Sequence, residues 1–298
     1  MTDASDPDVR FRVTDELVAH LLTTQHPDLA HFEIGRHYTR EDHTTVRIGD
    51  EWGVRFPTVA GLDTYYARSR PLLAGHRHQW AFPHSAPRRG GLPDDSFPFH
   101  WEVTGWIIAS NASLVPLTNG AGTALGDALR EVHRPATAEA PSNPRTMPRL
   151  AEYAPAFPSL LAAAQGAAPT GLALDRHALT TNWALAVQQP REEQDTWTHG
   201  RLEAQSVLCD RGALAGIAMW EFFGAGDPAA DLGMASALLP PREVEPLFVA
   251  YGAVSDALRS RSRGYLIREL LLQATSRDDN VASEAWHGLS ENGYASRA

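Results

Sequence analysis

The chain has 298 residues, 43% of them hydrophobic, and a formal net charge of −10. That is enough to bury one large or two modest cores, while the acidic balance and the lack of any block of consecutive Lys or Arg argue against nucleic acid as a partner. A single cysteine, Cys209, excludes an internal disulfide framework. The opening MTDASDPDVRFR has no signal-peptide apolar run, and no stretch reaches the roughly 20 apolar residues of a membrane span, so a cytoplasmic protein is expected.

After a polar start expected to fray, residues 14–24 (TDELVAHLLTT) combine a Thr cap, acids in the first turn and Leu17, Val18, Leu21 and Leu22 on one face. This pattern predicts an amphipathic helix. Two β-rich runs, 44–48 and 51–56, flank Gly49-Asp50 and predict a hairpin. Residues 63–76 (DTYYARSRPLLAGH) read as a helix made doubtful by Pro71. Proline-rich 81–99 reads as loop, and 101–108 (WEVTGWII) as a strand with Trp101 and Trp106 in the core. Helices are expected over 120–133, 159–165, 174–188, 242–258 and 264–275, and a surface loop over 134–148.

The most informative stretch is 197–232, WTHGRLEAQSVLCDRGALAGIAMWEFFGAGDPAADL. It resembles the core of the aminoglycoside phosphotransferase family, whose members carry HGDLHPGNVLV, a short hairpin, IDF or IDW, and then GDPAADLA, at the same spacing. Weaker likeness extends over 17–57, 97–109 and 120–133. The resemblance implies an α+β, two-lobed kinase-like fold: a small antiparallel-sheet lobe with a helix over 1–108, a hinge near 106–110, and a larger, mostly helical lobe over 109–298. It also implies that His199 and Asp231 hold the core loop together, and that hinge groups near Trp106–Ala109 could face an adenine-like ring. In the loop that would cover nucleotide phosphates, 35–45, Gly35 is kept but Tyr38 and Arg40 replace small residues. Arg55 matches the position of the phosphate-pairing cation. Its acidic partner, expected from the helix over 63–76, is missing there, where Ala67 and Ser69 are the nearest candidates; the other expectation is that Arg55 faces solvent or an acid elsewhere.

Phosphoryl transfer in such a fold needs an Asp to orient the hydroxyl nucleophile and an Asn and a second Asp to hold Mg²⁺. The matching positions here are Arg201, Ser206 and Met219, none suited to those tasks. Glu203 and Glu221 stand two residues after the first and last, displaced by roughly 6–7 Å on extended backbone and expected to be solvated or salt-bridged. His76, His78, His84 and His100 have no recognised metal spacing, so no metal site is expected, and no G-x-S-x-G elbow occurs. The reading is therefore a family member with degenerate catalytic motifs, a pseudokinase in a small-molecule-binding, regulatory or repurposed role, with a ligand cleft formed from Arg55, His199, Arg201, Glu203, Met219, Trp220 and Glu221. Two alternatives stay open: an active ATP-dependent antibiotic phosphotransferase, and a non-kinase biosynthetic enzyme using the inherited cleft. No cofactor is expected, with Mg²⁺ and ATP or GTP entering only under the first alternative. The partner expected is a small organic ligand, with a protein partner as the other option. Either the cleft stays open around Arg201 and Met219, or Met219, Trp220 and Phe222 fill it; the charges of Arg201, Glu203 and Glu221 favour the open form.

Overall fold

The computed structural model describes residues 11–40, 42–118, 120–146, 149–191, 194–252 and 254–297. The polar start, residues 1–10, lies outside them, as do Glu41 and residues 147–148 of the two loops just named. The described chain divides into two compact units, 11–108 with Gly216–Phe223, and 109–215 with 224–297.

The first unit begins with α1 (Asp15–Gln25), whose cap Thr14 accepts from the Leu17 amide and whose Val18, Leu21 and Leu22 are buried. Five strands follow, β1 (Ile34–Thr39), β2 (His43–Ile48), β3 (Trp52–Pro57), β4 (Pro87–Gly91) and β5 (Trp101–Gly105), with α2 (Leu62–His76) between β3 and β4. They form an antiparallel sheet in the order β1-β2-β3-β5-β4. Val46, Val54 and Val103 are cross-strand neighbours in one core with Val18 and Leu21. By strand alternation the opposite face carries Arg55 and its neighbour Glu102.

Three expectations in this unit are corrected. Residues 35–45 are not a free loop: they build most of β1 and the start of β2. The helix over 63–76 forms despite Pro71, because Leu62, Tyr66, Ser69 and Leu73 bury one continuous face and Pro71 lies exposed. The stretch 81–99 contains an edge strand, β4, where Pro87 is tolerated. Its Gly91 is required by packing, since a Cβ there would sit 1.8 Å from Cε2 of Trp101.

The second unit runs β6 (Ser110–Asn111), α3 (Ala121–Val132), α4 (Phe157–Gly166), β7 (Leu172–Leu174), α5 (Arg176–Val187), β8 (Thr196–Thr198), β9 (Val207–Asp210) and β10 (Ala213–Ile217), the last two residues of β10 belonging to the first unit. It continues with β11 (Gly224–Gly226), α6 (Pro228–Ala237), α7 (Pro241–Tyr251), α8 (Asp256–Ala274), α9 (Asp279–Glu291) and β12 (Ala295–Arg297). The expected helix over 242–258 is broken: α7 stops at Gly252 (φ 114°) and Ser255 caps α8 by accepting from Leu258. The loop over 134–148 is not simply superficial. Asn143 and Thr146 are fully buried, and Asn143 donates to both oxygens of Thr198 (3.2 and 2.9 Å). No described helix is long and apolar enough to cross a membrane.

Candidate functional site

In the second unit the loop after β8 is organised by one carboxylate. Asp231, in the first turn of α6 and fully buried, accepts from the amides of His199 (2.6 Å) and Gly200 (2.8 Å) and lies 3.1 Å from Nε2 of His133. With Nε2–H directed at Asp231, Nδ1 of His133 is left to accept from the Tyr251 hydroxyl (3.1 Å). Burial alone would raise the Asp231 pKa, but the hydrogen bond from His133, with His199 and the Gly200 amide, outweighs it and holds the carboxyl below its ordinary value. Gly200 turns the loop at φ 81°, where a Cβ would meet the Asn143 amide at 2.2 Å. Asp227 caps α6 and receives Arg261 at 3.0 Å, so both acids of the GDPAAD run hold backbone and helices in place.

The three positions that the family resemblance matches to chemistry, Arg201, Ser206 and Met219, make the following contacts. Arg201 and Glu203 pair at 3.4 Å, and the backbone amide of Arg201 donates to Nδ1 of His199. The Ser206 hydroxyl, fully buried, lies 2.7 and 2.9 Å from the carbonyls of Arg201 and Glu203, stitching the loop's two ends together. Burial raises the Glu203 pKa, with Arg201 acting against it.

Met219 belongs to the first unit, as do Trp220 and Glu221. Met219 is 6% exposed and sits at φ 65°, a left-handed conformation that Asn, Asp and Gly tolerate and Met disfavours. Trp220 is buried, stacks on Trp80 with centroids 4.4 Å apart, and donates its indole N–H to the Ile217 carbonyl. Glu221, fully buried, takes Nη1 of Arg55 at 3.0 Å, and Glu102 takes the same nitrogen at 3.1 Å. The Arg55 guanidinium also lies over the Tyr66 ring at 5.3 Å.

The acidic partner of Arg55 is thus absent from α2 and supplied by β5 and the Gly216–Phe223 segment. Neither partner was assigned to Arg55 from the sequence. Glu102 was nevertheless visible as a lone charge in an aromatic and β-branched strand, an arrangement that asks for a buried counter-ion. Nothing in the spacing announced His133 or Asn143, which reach the core loop only through tertiary packing. Within the first unit the structure brings Arg55 to Glu221, and within the second it brings His199, Arg201 and Glu203 into one loop. Glu221 does not keep its surroundings wet, because Arg55 neutralises it in the interior.

Fitness for Mg²⁺ can be judged from the donors. A buried thioether, a hydroxyl held between two carbonyls and a guanidinium do not fit a hard divalent cation. Among the described residues no group of three or more His, Cys, Asp or Glu could hold a metal ion. The histidines singled out by sequence serve separate ends: His84 bonds the Arg77 carbonyl (3.1 Å), His76 packs on Phe223, and His100 faces Asp63 (3.5 Å).

Residues 42–265 match the family model described as the phosphotransferase enzyme family. No curated protein matches the chain. Among solved structures, the GDP complex of wild-type aminoglycoside 2'-phosphotransferase-IIIa is similar at 14% identity and a TM-score of 0.58, over 94% of this chain and 98% of that one. The macrolide 2'-phosphotransferase MphH from Brachybacterium faecium gives 16% and 0.55 over 91% and 97%. Aminoglycoside phosphotransferase APH(3'')-Id from Streptomyces rimosus gives 19% and 0.56 over 87% and 99%. These likenesses concern fold, and with a family match across most of its length the chain belongs to the phosphotransferase enzyme family.

Proposed function

We propose that this family member has lost Mg²⁺-dependent phosphoryl transfer and acts by binding a small organic ligand without phosphate, in a regulatory or repurposed role. The observation that carries the reading is the engagement of the two carboxylates nearest the degenerate positions: Glu221 is sealed against Arg55, and Glu203 is paired with Arg201. Met219 supports it too, since the backbone there keeps a left-handed shape that Asp tolerates while the thioether is a poor ligand for Mg²⁺. Tyr38, packed on Trp106 with centroids 5.4 Å apart, covers sheet surface near the segment where a nucleobase would be expected. The active-phosphotransferase alternative draws on a fold relative, APH(2")-IIia, solved in complex with GDP and kanamycin.

The test is thermal stability with ATP or GTP, with and without Mg²⁺, beside aminoglycosides, macrolides and other metabolites. Nucleotide at about 100 times Kd would add roughly 2.7 kcal/mol; no Mg²⁺-dependent gain is expected, and a clear one overturns the proposal. A sharper arm compares Arg201→Asp with the triple change Arg201→Asp, Ser206→Asn, Met219→Asp. Rapid aminoglycoside phosphorylation by the single variant would mean that metal binding was never lost.

A further inference from the structure

The buried group around Arg55 holds one cation and two carboxylates, all at most 4% exposed, and both acids address one nitrogen, Nη1. Glu102 Oε2, Arg55 Nε and Nη2, and the Tyr66 hydroxyl are buried without a hydrogen-bond partner. A dry site with an uncompensated negative charge is costly, and the least expensive remedy is a proton. We propose that Glu102 carries that proton, leaving Arg55 committed to Glu221 as the clamp that fastens the Gly216–Phe223 segment to the sheet, and that loss of the proton makes Glu102 a competitor that loosens the clamp.

Other charges facing the group bear on which acid is protonated. Arg70, from α2, reaches over Gly90, the β4 residue opposite Glu102, and His43 and Asp42 lie at the start of β2 as a pair in contact. Tyr66 comes from the buried face of α2. Burial pushes the Glu102 pKa up to about 7, with the Arg55 charge opposing and the Glu221 charge reinforcing the rise. His43 moves the other way: burial, then Arg55, holds it below its ordinary value, which disfavours a positive charge there. Arg55 is here a positioning residue, and the segment it holds contains the left-handed Met219 and the Trp220 ring.

The experiment is amide hydrogen exchange over residues 216–223, corrected for intrinsic rates, at pH 6 and pH 8 in wild type, Glu102→Gln and Glu221→Gln. Around a pKa of about 7 this interval takes Glu102 from roughly one-tenth to nine-tenths ionised. Protection in the wild type is expected to fall about tenfold, whereas Glu102→Gln should remain protected at both values. Glu221→Gln, in which Arg55 has no segment carboxylate to hold, should be loose at both; this arm keeps the idea testable if Glu102→Gln does not fold. The same pH dependence in Glu102→Gln as in wild type, or a flat wild-type profile, or a Glu221→Gln protein as protected as wild type at pH 6, overturns the proposal.

Discussion

Asp231 shows how much structure a single buried carboxylate can hold. It satisfies two backbone amides and one imidazole in a site with no solvent, so its removal orphans three donors at once. Asp231→Ala is expected to cost about 3–5 kcal/mol, measured by denaturant unfolding. Because its folded pKa lies below the ordinary 3.8, its contribution is present above that value and is lost as pH falls through the folded pKa. Ser206 is a contrasting case: its neighbours use it as a staple, and Ser206→Ala should release two carbonyls and cost about 1–2 kcal/mol, read by the same unfolding curve.

Elements with one strong local signal were readable in the sequence. α1 has its cap and its stripe; the β2–β3 hairpin has Gly49-Asp50 between β-rich runs. What escaped was structure made by partners. β4 looks like loop because proline and glycine dominate it, yet an edge position excuses Pro87, and Gly91 exists to admit an indole from β5. Gly91→Ala should therefore destabilise by about 1–3 kcal/mol, visible as a lowered midpoint, although the residue lies on an edge strand. The candidate site was legible in the same uneven way. His199, Arg201, Glu203 and Asp231 stood out by motif, whereas the pairing of Arg55 with Glu102 and Glu221 joins residues 47 and 166 positions apart, which no local pattern encodes.

For the protein as a whole, acid and base act through opposing groups. Burial lowers the pKa values of His26, His43, His76 and His84 beneath the ordinary 6.5, so each contributes stability above that value and forfeits it as pH falls through its folded pKa. Glu102 works in the other direction: its contribution is full below the ordinary 4.5 and is lost as pH rises through about 7. Glu102→Gln should accordingly steepen the loss of stability on acidification from pH 7 to pH 5, a difference curve that isolates this one group from the four imidazoles.

The first unit is also discontinuous in the chain, since Gly216–Phe223 joins it from beyond residues 109–215. During synthesis, at about 5–20 residues per second, its sheet can emerge some ten seconds or so before the segment that completes it. Throughout that interval Arg55 lacks Glu221 and Trp80 has no Trp220 to stack on. Chaperone binding or proteolysis of the nascent chain should therefore concentrate on the α2 side of the sheet and end once residue 223 has cleared the ribosome.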